Sequence, residues 1–193
     1  MNKNRLEAFS DGVLAIIITI MVLEMKVPQG GNLNALRPLL PVFMSYVLSF
    51  VYIGIYWNNH HHMLHACKNV TGTILWANLN LLFWLSLLPF VTGWMGENHF
   101  EPLPSALYGL ILLTTAMAYL ALQTVIIRAQ GKGSLLKKAI GGDWKGKLSS
   151  VLYVVGMATA LKSSMIAQMI YVFVALLWLV PDKRIERVLT EKE

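Results

Sequence analysis

The stretch Arg5-Leu-Glu-Ala-Phe-Ser-Asp-Gly-Val-Leu-Ala-Ile-Ile-Ile-Thr-Ile-Met-Val-Leu23 decides how this chain folds. It is an apolar run of membrane-helix character with Ser10 and Asp11 at its entrance. An aspartate there is costly unless it faces protein or water, so it marks function. Further along, Ile16, Thr19 and Leu23 recur at i, i+3 and i+7. That spacing lays one narrow stripe of large apolar groups along the helix, interrupted by a single hydroxyl. Ile20, one residue from Thr19, competes for the same face.

The rest of the chain has the same character. Of its 193 residues, 56% are hydrophobic and 13% charged. A soluble domain carries about 25% charged residues, and a deficit of this size cannot be hidden in a water-soluble core. The composition predicts an all-α integral membrane protein forming one domain over residues 1–193. The net charge of +6 would suit nucleic acid, but its placement between apolar runs fits the positive-inside effect instead. Cys67 is the single cysteine and forms no intrachain disulfide. The start does not read as a signal peptide, because Asp11 interrupts the apolar run and Glu24 and Lys26 follow it without a small-residue cleavage pattern.

A span needs about 20 mostly apolar residues. Six spans are expected, at about 8–25, 39–57, 73–94 and 105–127, with the last two between 148 and 180. Pro89 should bend the third, and Lys162-Ser163-Ser164 should turn the fifth into the sixth. The halves of that last pair are short, and a buried hairpin that does not fully cross is their alternative. Loop charge sets the orientation. Lys3, Arg5, Lys68, Arg128, Lys132, Lys137, Lys138, Lys145, Lys147, Lys183, Arg184, Arg187 and Lys192 share one side of a six-span chain. Lys26, Arg37 and Lys162 lie on the other, with Glu97 and Glu101. Both termini are therefore expected to be cytoplasmic, in a cell membrane. Trp57, Trp94, Trp144 and Trp178 fall near span ends, as interfacial anchors do. The longest loop, about 128–146, reads as a solvated basic loop, with a short amphipathic helix at about 135–140 as the alternative.

Arg5, Phe9, Ser10 and Asp11, followed by Ile16, Thr19 and Leu23, resemble the first-helix signature of the transmembrane protein 175 family of potassium channels. Trp57-Asn-Asn-His-His61 and the run from Trp76-Ala-Asn78 to Leu88-Pro89-Phe90 are similar to its bacterial members. The likeness extends through Phe90. It implies six helices per subunit and a homotetramer in which four first helices line a central pore. It implies a hydrophobic constriction at Ile16, a hydroxyl layer at Thr19 and a further apolar ring at Leu23, with K+ as the permeant ion and no cofactor.

The residues support a physical reading of that pore. Ile16 to Leu23 spans roughly 10 Å at 1.5 Å per residue. Four isoleucines on an axis present no oxygen to replace an ion's hydration shell and can gate by dewetting. Four Thr19 hydroxyls could touch a partly hydrated cation. K+ is favoured over Na+ because it sheds water at lower cost. The familiar Thr-Val-Gly-Tyr-Gly filter is missing; Val91-Thr-Gly-Trp-Met-Gly96 has a different order and reads as a helix end and turn. Ordinary packing in a monomer would also produce an apolar stripe.

Asp11 needs donors, and the His60-His61-His62 cluster and Asn78 are the candidates. Arg5 would hold a carboxylate or carbonyl of a neighbouring helix. Such bonds would fix the rotation of the first helix. A vestibule carboxylate that concentrates cations is the alternative for Asp11. His60, His61, His62, His65 and Cys67 invite a metal site but lack carboxylate support, so no metal is assigned. A histidine near the pore would make gating sensitive between about pH 5 and 8. No nucleophile and base, paired carboxylates or phosphate loop points to catalysis. The competing functions are a secondary transporter of protons or metal cations using Asp11 and the histidines, and a non-transporting scaffold. The Ile and Thr midplane of the first helix favours a pore over a transporter.

Overall fold

The computed structural model describes residues 3–67, 69–131, 134, 136–137 and 143–179. Among these the chain is helical throughout. α1 runs Lys3–Leu23, a 3-10 turn Leu33–Leu39 leads into α2, Leu40–His65, and α3, Gly72–Ser86, is followed by α4, Leu88–Glu97. α5 covers Pro102–Gln130, α6 Trp144–Ala160 and α7 Ser164–Leu179. α3 and α4 together form the third span. They part at Leu87, two residues before Pro89, whose ring nitrogen cannot donate to the preceding turn. The bend expected at Pro89 is therefore a break.

The helices outrun the apolar segments that predict them. α2 continues eight residues past Trp57 and carries all of His60, His61, His62 and His65. Four helical segments are long and apolar enough to cross a membrane, including the joined α3–α4. α6 and α7 are shorter, at 17 and 16 residues. At 1.5 Å per residue each is about 25 Å long, somewhat less than a hydrocarbon core of about 30 Å. The expected turn at Lys162 joins them, where the Lys162 and Ser163 amides donate to the Thr159 carbonyl at 3.0 and 2.8 Å. The surface helix suggested at 135–140, like Lys68, Lys132, Lys183, Arg184, Arg187 and Lys192, falls wholly or largely outside the described residues.

Tail-like side chains gain nothing from leaving lipid, so helices in a membrane are held by close packing and interhelical hydrogen bonds. Both meet where α5, α6 and α7 come together. Tyr171 of α7 is fully buried between Gly109 of α5 and Gly156 of α6. A Cβ at Gly156 would stand 2.5 Å from the Tyr171 ring, and one at Gly109 would collide with its hydroxyl. The Tyr171 hydroxyl donates to the Ser105 carbonyl at 3.1 Å, and the Tyr52 hydroxyl donates to the Tyr171 carbonyl at 2.6 Å. Ser49 joins Thr92 at 2.7 Å and Tyr108 at 3.0 Å, linking α2, α4 and α5. Each such bond contributes about 0.6 kcal/mol on average and up to about 1.7.

α1 is placed differently. It packs on α2, α3 and α4 through Leu6, Ser10, Leu14, Ile17 and Met21. Those positions repeat at helical spacing and occupy one side only. The opposite side meets no other part of the described chain.

Candidate functional site

The unpartnered side of α1 carries the residues singled out in the sequence. Ile16 is 60% exposed and Leu23 74%, and Thr19 is exposed between them. Ile20, at 42%, stands at the edge of the same face. Arg5 and Phe9 continue it toward the N-terminus. At 100° per residue, Arg5, Phe9, Ile16 and Leu23 fall within a narrow arc, and Thr19 and Ile20 flank it on either side. The Thr19 hydroxyl donates to the Ala15 carbonyl at 2.9 Å. Its proton is thereby directed into the helix, which leaves oxygen lone pairs to face outward. An outward acceptor is the polarity a cation requires.

Ser10 and Asp11 are neighbours in sequence, yet 100° of helical rotation sends them to different partners. Ser10 turns into the bundle and is fully buried. Its hydroxyl donates to the Leu6 carbonyl at 2.9 Å and accepts from Asn78 Nδ2 at 3.0 Å. Asn78 Oδ1 lies 2.7 Å from His60 Nε2. With the Asn78 amide donating to Ser10, its oxygen must accept, so Nε2 carries the proton and donates. Donation thus runs from His60 on α2, through Asn78 on α3, to Ser10 and the backbone of α1. Asn78 is completely buried and His60 nearly so. Each of these buried groups is satisfied by the next, so the loss of one member strands its neighbours.

Asp11 sits on the exposed flank, where Trp57 Nε1 donates to its Oδ1 at 3.0 Å. Two of the donors expected for Asp11, His60 and Asn78, are engaged with Ser10 instead. Trp57, expected as an interfacial anchor and as part of the family motif, is the donor instead. The signal is its i, i+3 spacing to His60, which turns both side chains toward α1. His61 takes no part in this contact; it is exposed and its ring stacks on His65 at 6.2 Å between centroids. Arg5 is exposed and forms no hydrogen bond or ion pair with another described residue, so no neighbouring described helix of its own chain receives it. Among the described residues no group of three His, Cys, Asp or Glu side chains is arranged to hold a metal.

At the other end of α1 the following segment is tied back to α4. Lys26 Nζ lies 2.7 Å from Glu97 Oε1, and the Glu97 carboxylate pushes the Lys26 ammonium above its ordinary value. Both groups are exposed, and such a pair contributes little to stability.

Comparison with known proteins bears on these residues directly. The family model described as the endosomal/lysosomal potassium channel TMEM175 matches residues 5–89, the part that contains α1, the His60–Asn78–Ser10 contacts and the Pro89 break. A protein named a potassium channel from Chryseobacterium sp. is 56% identical over 99% of this chain and 100% of its own length. The human relative, named an endosomal/lysosomal proton channel TMEM175, is 35% identical over 43% of this chain and 19% of its own. The crystal structure of a lysosomal potassium-selective channel TMEM175 homologue from Chamaesiphon minutus superposes with a TM-score of 0.82 at 27% identity, covering 93% of this chain and 97% of that one. The relatives are ion channels and not enzymes, and the apolar helices make this chain a multi-pass membrane protein. With near-complete coverage of a relative at that identity, and with the shared architecture, the chain belongs to the TMEM175 family.

Proposed function

We propose that this chain conducts K+ passively through a pore on the axis of a homotetramer, lined by four copies of α1. The observation that carries the proposal is the division of α1 into two faces. Leu6, Ser10, Leu14, Ile17 and Met21 are spent on packing within the chain, while Ile16, Thr19 and Leu23 are left without a partner. Four such faces brought together place rings of isoleucine and leucine on the axis, with outward-facing threonine oxygens between them. The Ile16 ring is the hydrophobic gate, passable when it hydrates. Thr19 gives a weak oxygen layer that favours the more easily dehydrated K+. Trp57, His60 and Asn78 set the rotation of α1, and so decide which side chains reach the axis. Loop charge supports cytoplasmic termini, with Lys26 and Glu97 at the outer end.

Proton permeation is a second reading, favoured by the naming of the animal relatives as proton channels. A proton-coupled transporter is disfavoured, since α1 carries no ionisable group between Asp11 and Glu24. Purified protein in liposomes separates the three. A K+ gradient alone should set a Nernst-like reversal potential that follows K+ and not pH. A potential that follows the proton gradient supports proton conduction. Saturating K+ flux that stops without a proton gradient supports a transporter, and either result sinks the proposal.

A further inference from the structure

A second, largely aromatic site lies away from α1, between α2, α5, α6 and the end of α7. Tyr56, Tyr119, Tyr153 and Trp178 line a cavity in which water-sized centres range over about 40 Å³, several times the roughly 10–15 Å³ that one water needs. Asn59 also borders it, and among the described residues of the lining the one charged side chain is Asp143. Tyr56 and Tyr119 meet edge to face with centroids 6.0 Å apart. Asp143 is held in a left-handed conformation at the start of α6, where Oδ1 accepts from the Gly146 amide at 3.3 Å. A Cβ at Gly146 would stand 2.7 Å from Oδ2, so glycine leaves the space in which this carboxylate sits. Lys145 donates to the Leu177 carbonyl at 3.4 Å and lies over the Trp178 ring at 5.8 Å.

Aromatic faces carry negative quadrupole potential and, when joined with a carboxylate in a partly desolvated space, select cations with an apolar surface. A bare metal ion would find one carboxylate among aromatic walls, and a neutral apolar guest would leave the negative charge of that carboxylate uncompensated. We infer that this cavity binds a small alkylated ammonium cation, with Asp143 as counter-ion and the ring faces of Tyr56, Tyr119 and Tyr153 around its alkyl groups. The site is independent of the proposed pore. It nonetheless shares a helix turn with it, because Tyr56 and Asn59 face the cavity while Trp57 and His60 hold α1.

The test is calorimetric titration of the full chain in phosphatidylglycerol nanodiscs, with empty discs as blank. Tetramethylammonium is compared with tert-butanol, a neutral probe of similar size. Tetramethylammonium should bind more tightly by about tenfold, the ratio that corresponds to 1.4 kcal/mol. Asp143→Asn keeps an oxygen to cap α6 but loses the charge. Tyr56→Leu removes a ring face that Tyr56→Phe retains. Binding should weaken about tenfold in Asp143→Asn and Tyr56→Leu and survive in Tyr56→Phe. Equal binding of tert-butanol overturns the inference. So does unaltered tetramethylammonium binding in Asp143→Asn and Tyr56→Leu, which would put the cation elsewhere, such as on α1. Two further discs with the same fraction of phosphatidylglycerol, and so the same surface charge, identify the source of the ammonium: one completed with phosphatidylcholine, the other with phosphatidylethanolamine. A lower apparent affinity in the phosphatidylcholine discs means that its headgroup occupies the site, and equal affinity means that the site takes soluble cations.

Discussion

Around α5 and α7, Tyr171 is enclosed by two glycines and joined by its hydroxyl and its carbonyl to neighbouring helices. α1 is attached along one side only, through a strip of small and aliphatic residues and one directed set of hydrogen bonds from His60 through Asn78 to Ser10. The first region is built so that little can move. The second leaves a helix free on one face and sets its rotation by a few polar contacts. The difference shows where the chain spends its packing, on a scaffold, and where it withholds it, on the face proposed to form the conduit.

That contrast can be broken from either side. The largest effect is expected in the scaffold. Gly109→Leu drives a side chain into Tyr171 and should destabilise the protein by about 1–3 kcal/mol or more, read as a lower melting temperature in detergent and a poor yield of folded protein. On the α1 side, Ile16→Asn adds a polar group to an exposed face. It should leave the melting temperature nearly unchanged and raise K+ flux in liposomes about tenfold, as expected if hydrating the constriction removes about 1.4 kcal/mol of barrier. Asn78→Ala strands His60 and Ser10. Leaving buried partners unsatisfied costs about 1–3 kcal/mol, and flux per folded protein should fall as α1 loses its rotational register. Trp57→Phe removes only the donor to the exposed Asp11. A hydrogen bond to a charged group at an exposed site should shift stability by less than about 1.5 kcal/mol, with a correspondingly small change in flux. The smallest effect belongs to Thr19→Val, which keeps the shape and removes the outward oxygen. It should alter the K+/Na+ permeability ratio without changing stability.

Much of the molecule is legible in its residues alone. The spans, the Pro89 break and the Lys162 turn follow from apolar length, a missing backbone donor and a short polar interruption. The two faces of α1 follow from helical period. The extension of α2 past Trp57 is hidden because its last eight residues are largely polar, and hydropathy ends a span where burial in lipid ends, not where hydrogen bonding ends. The partner of Asp11 is hidden for a different reason. Charge chemistry favours a histidine or an amide, but the choice is made by rotation. Ser10 points inward to Asn78, and Asp11, one residue on, points sideways to an indole. The Ser49, Thr92 and Tyr108 cluster leaves no trace in the sequence, because three hydroxyls from three helices converge only in the folded chain.

The central claim is that ions pass along the free face of α1. Single cysteines placed on a Cys67→Ser background test it, with thiol-reactive cations applied to K+ currents in a planar bilayer. Leu23→Cys and Thr19→Cys should be modified and block the current, while Met165→Cys on the outer face of α7 should leave it unchanged. Current that persists after complete modification at positions 19 and 23 would put the ion path somewhere else in the molecule.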